Sequence, residues 1–238
     1  MMKTIGLIGG LSWESSVSYY QYINQYVKRT YGGLHSAKCL LYSFDFQEIV
    51  HLQKAGEWAE ATERMVEAGN KLKAGGADML VICTNTMHLM ADEVEAATGL
   101  PVIHIVDALA EAIKAQDMKS IGLVGTQFTM EKPFYRERMA RHGIELIVPN
   151  EEDRKKVHDV IFNELCVGTT CANSKQYYLS VIDQLAAKGA EGVILGCTEI
   201  PLLINQNDCA LPLFDSTKLH AEKAVSLAIE RNEKKTIK

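Results

Sequence analysis

The sequence predicts an α/β protein made of two similar units, each with a parallel sheet flanked by helices. Short apolar runs typical of buried strands alternate with stretches of helical periodicity along the 238 residues, as expected for parallel sheets with helices on their faces. In addition, the segment 3–9, KTIGLIG, returns as KSIGLVG at 119–125. Two apolar runs also end in the same dipeptide, Cys83-Thr84 and Cys197-Thr198.

The first half of the chain is predicted to contain three strands separated by helices. A strand over 3–10 ends in two glycines, and Ser12 is then the N-cap of a helix whose apolar residues recur at helical spacing. A second strand is predicted over 37–46, a second helix after Gly56, and a third strand that ends at Cys83. The polar residues after this strand are expected to begin another helix.

The second half is predicted to repeat this order and to end in a helix. A strand at 102–106 precedes it, and the apolar run that begins at Gly192 gives the strand that ends at Cys197. Pro101 and Pro212 introduce similar short apolar segments at nearly the same offset as the other repeated motifs. The other predicted elements are helices at 108–115, 130–142, 151–165, 174–188 and 217–231, with strands at 119–125 and 144–148.

Three motifs that recur in the same order at nearly the same offset indicate two copies of one α/β unit. We expect a first, discontinuous domain from 1–98 with 209–238, and a second domain from 99–208. Ligands bind beyond the carboxyl ends of the strands in such sheets. If a pseudo-two-fold relates the two domains, Cys83 and Cys197 face one shared cleft.

Composition excludes several classes of function. A formal net charge of -5 argues against a nucleic-acid-binding protein, which usually presents a basic face. No stretch approaches the roughly 20 apolar residues that span a bilayer, and the apolar start lacks the pattern of a secretion signal, so we expect a cytoplasmic protein. The six cysteines form no Cys-x-x-Cys pair or zinc-finger spacing, so we expect no metal.

Two cysteines on opposite sides of a small substrate suit proton exchange at a carbon atom. One thiolate removes a proton from one face, and the other thiol delivers a proton to the opposite face. This chemistry needs a thiol that ionises near neutral pH. We expect the helix starts after Cys83 and Cys197 to lower the pKa of each thiol from its usual value of about 8.5.

The segments Gly9-Gly10, CTNTMH at 83–88 and GCTEIP at 196–201 together resemble the aspartate/glutamate racemase family across essentially the whole chain. The resemblance implies an amino-acid racemase of two pseudo-symmetric α/β domains that uses no pyridoxal phosphate or other cofactor. It implies a small-molecule amino acid as the substrate, a homodimer as the assembly, and Cys83 and Cys197 as the acid/base residues.

The residues around the two cysteines are the candidates for substrate binding. Backbone N–H groups at the starts of the following helices are suited to a substrate carboxylate, although several of these residues serve equally well as helix caps. Glu199 orients Cys197, meets the substrate ammonium, or is simply a solvated carboxylate in the first turn of its helix. His88 is expected to pack within its helix. The candidate set is Gly10, Ser12, Trp13, Thr84, Asn85, Thr86, Thr198 and Glu199.

The chain departs from the family pattern where the substrate side chain is held. Racemases specific for aspartate typically have an arginine where this chain has 43–48, SFDFQE, and a lysine where it has Cys166. The branch with SWES at 12–15 resembles aspartate/glutamate or broad-specificity racemases, and the preferred amino acid stays open. Two alternatives remain: a cis–trans isomerase or decarboxylase of the same superfamily, and a two-lobed binding protein without catalysis.

Overall fold

The computed structural model describes residues 2–229, which fall into two compact units. The first unit comprises 2–104 and 220–229, and the second is Ile105–Leu219. Each unit contains one four-stranded parallel sheet with helices packed against it, so the predicted α/β fold with two parallel sheets is confirmed. No helix in the described part of the chain combines the length and hydropathy needed to cross a membrane.

The first sheet has the strand order β2-β1-β3-β4, and all its pairings are parallel. Two apolar cores cover its faces, one beneath α1 and the last helix of the chain, α10 (Ser216–Ile229), and the other beneath α2, α3 and α4. The elements are β1 (Ile5–Gly9), α1 (Trp13–Tyr31), β2 (Cys39–Ser43), α2 (Phe46–Ala55), α3 (Trp58–Ala74), β3 (Met79–Ile82), a 3-10 helix (Thr86–Met90), α4 (Ala91–Thr98) and β4 (Val102–Ile103).

The second sheet has the equivalent order β6-β5-β7-β8, again entirely parallel. One continuous apolar core surrounds it. The elements are α5 (Ile105–Lys114), β5 (Ser120–Gly125), α6 (Gln127–Glu131), α7 (Pro133–Arg141), β6 (Glu145–Ile147), α8 (Glu151–Asn163), α9 (Ala172–Ala187), β7 (Gly192–Gly196) and β8 (Leu213–Asp215), with 3-10 helices at Leu165–Val167, Ile200–Leu202 and Gln206–Asp208. Helix α10 begins directly after β8, and from His220 onward it belongs to the first unit.

The internal repeat extends to hydrogen bonds at the entry of each sheet. In the first unit, the backbone N–H of Thr4 donates to Oδ2 of Asp78 at 2.7 Å. In the second, the N–H groups of Lys119 and Ser120 donate to Oε2 of Glu191 at 2.6 and 2.8 Å. In each case a carboxylate accepts hydrogen bonds from backbone N–H groups at the amino end of the first strand in its sheet.

The domain boundaries differ from those expected from the sequence. The predicted limits, 98/99 and 208/209, lie before β4 and β8, whereas the observed units divide after these strands. The reason is strand pairing. β4 pairs with β3 in the first sheet, and β8 pairs with β7 in the second, so each short strand stays with the sheet that precedes it in the chain.

Two predicted elements change in the structure, and one helix is additional. The strand expected at 102–106 stops at Ile103, because Ile105 already begins the amphipathic helix α5. The helix expected at 130–142 is two helices, since Pro133 requires an extended conformation at the residue before it. Helix α2 was not anticipated. The last helix, predicted over 217–231, begins at Ser216, and its predicted end at 231 lies outside the described residues.

Candidate functional site

Cys83 lies immediately beyond the carboxyl end of β3, and its side chain is completely buried. Its backbone N–H donates to the carbonyl of Ile8 in β1 at 2.9 Å, which fixes it to the sheet. The thiol packs in the apolar core beneath α1 and α10, and its Sγ lies 3.9 Å from the Val81 carbonyl oxygen. Burial raises the pKa of this thiol far above its ordinary value, with a smaller contribution from the charge of Cys39.

Cys197 lies at the matching position beyond β7, but it is only partly buried and has a carboxylate partner. Its Sγ donates to Oε2 of Glu199 at 2.8 Å, and the hydroxyl of Thr198 donates to the same oxygen at 2.6 Å. Glu199 itself is 4% exposed. Burial raises the pKa of the Cys197 thiol well above its usual value, and the nearby charges of Glu199 and Cys166 raise it further.

Although each cysteine directly follows its strand, Cys197 lies one residue further along relative to β5 than Cys83 does relative to β1. Ile82, the residue before Cys83, pairs with Ile8. The residue before Cys197 is Gly196, which pairs with Gly125, one position further along the repeat. Because successive residues of a strand point to opposite faces, this step accounts for the different surroundings of the two thiols. One is enclosed in the core, and the other is beside a polar turn.

The expectation that helix starts lower both thiol pKa values is wrong for this structure. The segments that follow are 3-10 helices, Thr86–Met90 and Ile200–Leu202, of five and three residues. The helix dipole grows with the number of aligned peptide groups, so such short turns offer little stabilisation of a thiolate. Desolvation is the larger effect, and both thiols are held in the protonated form.

The three candidates that follow β1 have separate structural roles. Gly10 has φ +71°, and a Cβ there would lie 2.3 Å from the backbone nitrogen of Phe44, so the chain itself requires this glycine. Ser12 is buried with φ 87°, an uncommon conformation for a non-glycine residue, and its Oγ accepts from the Ser15 N–H as the predicted N-cap of α1. Trp13 is 65% exposed.

The polar residues after Cys83 lie together at the carboxyl edge of the first sheet. Thr84 is half-buried, and its N–H donates to the carbonyl of Ile82 at 2.9 Å. Asn85 and Thr86 are 3% and 8% exposed, respectively, and begin the short 3-10 helix. On the second sheet, Thr198 and Glu199 form the hydrogen-bonded group with Cys197 described above.

Thr126, which directly follows β5 in the second unit, is a further hydroxyl residue at a sheet edge and is absent from the candidates predicted from the sequence. Thr126 is the N-cap of α6, its Oγ1 accepts from the Thr129 N–H, and it is 8% exposed. It therefore corresponds to Ser12 in the first unit. The repeat of KTIGLIG was the available signal, because a hydroxyl residue follows the repeated strand in both halves of the chain.

Acidic groups lie in the two segments where the chain departs from the pattern of aspartate-specific racemases. Asp45 accepts from the Gln47 N–H and caps α2. Cys166 is close enough to Cys197 for its charge to affect the Cys197 pKa. Two residues away, Glu164 accepts the Ser174 hydroxyl at 2.9 Å through Oε1, and its Oε2 is buried with no hydrogen-bond partner.

Metal binding has no geometric support among the residues that the structure describes. Within 2–229, no group of three or more His, Cys, Asp or Glu side chains is arranged to hold an ion. The residues at the two sheet edges supply thiols, a carboxylate, hydroxyls and backbone amides.

Comparison with known proteins gives consistent matches over most of the chain. The family model for Asp/Glu/Hydantoin racemase matches residues 8–224. The broad specificity amino-acid racemase RacX of Bacillus subtilis is 21% identical over 228 residues, which cover 93% of this chain and 96% of that protein.

Two solved structures share the complete fold. A Yersinia pestis protein provisionally assigned as an Asp/Glu racemase is 51% identical, with a TM-score of 0.91 and coverage of 96% of this chain and 100% of that one. An aspartate racemase homologue from Pyrococcus horikoshii is 33% identical, with a TM-score of 0.84 and coverage of 95% and 99%. With its two equivalent sheets and a cysteine beyond the third strand of each, the chain belongs to the Asp/Glu/Hydantoin racemase family.

Proposed function

We propose that this protein is an amino-acid racemase that interconverts L- and D-amino acids by two-base proton transfer at Cα, without pyridoxal phosphate. The observation that carries the proposal is the paired placement of Cys83 and Cys197. Each follows the third strand in the chain order of its sheet, at the carboxyl edge where ligands of α/β proteins bind. The family membership and the racemase names of relatives support the same reaction.

In the proposed reaction, the two cysteines stand on opposite faces of the substrate carbon. One thiolate takes the α-proton and becomes a thiol, while the other thiol gives its proton to the opposite face and becomes a thiolate. The electron pair left by the departing proton is shared with the substrate carboxylate until the new C–H bond forms. The exchange is symmetric, so the same site handles both enantiomers.

The raised pKa values constrain how this reaction starts. Because both thiols are held protonated, the free protein contains little thiolate at neutral pH. A substrate α-ammonium adds a positive charge beside a thiol, and a nearby opposite charge favours ionisation. Substrate binding is thus proposed to generate the base that the reaction uses.

For Glu199, the contact with Cys197 supports the orienting role over direct contact with the substrate ammonium. Its Oε2 accepts from the thiol at 2.8 Å and from the Thr198 hydroxyl. A carboxylate held in this way keeps the Cys197 proton directed away from the apolar core.

We propose a substrate range that is broader than aspartate and glutamate. The segments where aspartate-specific racemases typically have an arginine and a lysine instead contain Asp45, Glu164 and Cys166 in this chain, which offer no cation to a side-chain carboxylate. Neutral and longer side chains therefore compete with acidic ones. The broad specificity in the name of the Bacillus subtilis relative supports this choice, and a cytoplasmic homodimer remains the proposed assembly.

The test is to incubate the purified protein in heavy water with each L-amino acid in turn, with no pyridoxal phosphate added. Loss of the α-proton NMR signal together with loss of optical rotation supports racemisation and identifies the substrates. The Cys83→Ser/Cys197→Ser double variant is the matched control. Release of carbon dioxide would instead indicate a decarboxylase, and binding without exchange would indicate a binding protein.

A further inference from the structure

A cluster of three buried histidines lies in the first unit, behind the loop that carries Cys83. His88, His104 and His220 are 2%, 6% and 0% exposed, respectively. The ring centroid of His88 lies 4.8 Å from that of His104 and 5.1 Å from that of His220. His88 belongs to the 3-10 helix that follows Cys83, so the cluster touches the candidate site through this residue.

The hydrogen bonds determine which ring nitrogens carry protons. His88 Nδ1 lies 2.7 Å from the carbonyl oxygen of Thr84, and His220 Nε2 lies 2.6 Å from that of Ile103. A carbonyl can only accept, so each of these nitrogens carries a hydrogen. In the neutral ring, Nδ1 of His220 then accepts from the Tyr19 hydroxyl at 2.7 Å.

His88 remains neutral because its second nitrogen has no partner. Nε2 of His88 is buried and makes no hydrogen bond, so protonating it would place an unsatisfied N–H group and a charge in the core. Burial lowers the pKa of His88 well below its usual value, and the charges of His104 and His220 lower it further. The ring is therefore a fixed donor to Thr84.

A buried ring nitrogen without a partner is unfavourable, so a phenylalanine or leucine would suit this core better if packing were the only requirement. What histidine adds is the Nδ1–H bond to the Thr84 carbonyl. Thr84 is the residue after Cys83, and the Cys83 N–H is already held by the Ile8 carbonyl of β1. The backbone is thus restrained on both sides of the thiol.

We propose that His88 is a positioning residue that sets the location of the Cys83 thiol through the Thr84 carbonyl. This inference rests on the proposed racemase function for its catalytic consequence. His88 does not act on the substrate in this account, because its side chain is buried behind the loop. The imidazole places its Nδ1–H group within hydrogen-bond distance of the Thr84 carbonyl, and the apolar core keeps the ring in one tautomer.

The test compares His88→Asn with His88→Phe. The Asn amide nitrogen occupies the place of Nδ1 and can still donate to Thr84, whereas Phe fills the ring volume without a donor. With the amino acid that the wild-type protein racemises, we expect His88→Phe to lower kcat about tenfold or more with KM nearly unchanged. His88→Asn should recover most of this loss, and His88→Gln, which places its amide at the Nε2 position, should not.

A second readout does not depend on racemisation. The rate of alkylation of Cys83 by iodoacetamide, resolved by mass spectrometry, should rise in His88→Phe and stay near wild type in His88→Asn, with Cys197 as the internal reference. If the wild-type protein does not racemise any amino acid but these rates follow the expected order, the placement of Cys83 by His88 stands and the proposed function fails. Equal alkylation rates and equal kcat values for the Asn and Phe variants would overturn the proposal.

Discussion

Replacing each cysteine by serine should have unequal effects on stability, although both replacements should stop racemisation. The Cys83 thiol is fully buried, and its Sγ lies 3.9 Å from the Val81 carbonyl oxygen. A serine hydroxyl there is left without a close partner, and a buried unsatisfied hydroxyl costs about 1–3 kcal/mol. In Cys197→Ser, the new hydroxyl can donate to Glu199 Oε2, which lies 2.8 Å from Sγ in the wild-type protein. The loss in free energy of unfolding should therefore stay within about 0.5 kcal/mol.

Equilibrium unfolding in urea measures this difference directly. The midpoint of Cys83→Ser should fall clearly below that of wild type, and that of Cys197→Ser should stay close to it, with unchanged slopes. Cys209→Ser is the matched control, because Cys209 is half-buried and its Sγ lies 3.3 Å from the Leu211 carbonyl. Equal midpoints for the Cys83 and Cys197 variants, or a larger loss at Cys197, would refute the reasoning from burial.

Three other predictions concern pH dependence and backbone geometry. The charge of Glu199 raises the pKa of Cys197, so Glu199→Gln should lower that pKa and move the rising limb of kcat/KM against pH to lower pH; a shift to higher pH would contradict the assignment. Gly10→Ala should lower the free energy of unfolding in urea by at least about 2 kcal/mol, because φ is positive and a Cβ would lie 2.3 Å from backbone. Gly33→Ala, where φ is +54° and no atom lies within 4 Å, should lower it by about 1 kcal/mol. Equal losses of stability in the two variants would contradict the role given to the close contact at Gly10. Two backbone N–H bonds lower the folded pKa of Glu191, so its stabilisation is present above the unfolded carboxyl pKa of about 4.3 and is lost as pH falls through the folded value. Glu191→Gln should therefore flatten the acid-side fall in unfolding free energy, and an unchanged slope would show that this carboxylate does not contribute.

Much of the fold could be predicted because the relevant signals are local. The repeated KTIGLIG segment and the alternation of apolar strands with helices determine the two sheets. Helix α2 was missed because its N-cap, Asp45, follows a strand so closely that 37–46 reads as one extended segment. The domain boundaries depend on which neighbour β4 and β8 pair with, and that is decided by tertiary contacts.

The candidate site, like the fold, could be predicted from the sequence only in part. The locations of Cys83 and Cys197 at matching strand ends follow from the sequence, because the strand and the motif are contiguous. Their pKa values do not, since desolvation comes from helices distant in the chain, such as α1 and α10 around Cys83. The histidine cluster is also invisible in the sequence, because His88 and His220 are far apart in the chain and meet only in the fold.

The central claim is that two thiols act on opposite faces of one substrate carbon, and isotope exchange by the single cysteine variants tests it most directly. Cys83→Ser and Cys197→Ser are each incubated in heavy water with the separate D- and L-enantiomers of the preferred amino acid, and the α-proton NMR signal and optical rotation are followed. We expect each variant to exchange the α-proton of one enantiomer only, without inversion, and the two variants to prefer opposite enantiomers. Racemisation at the wild-type rate by both variants would contradict the two-base account.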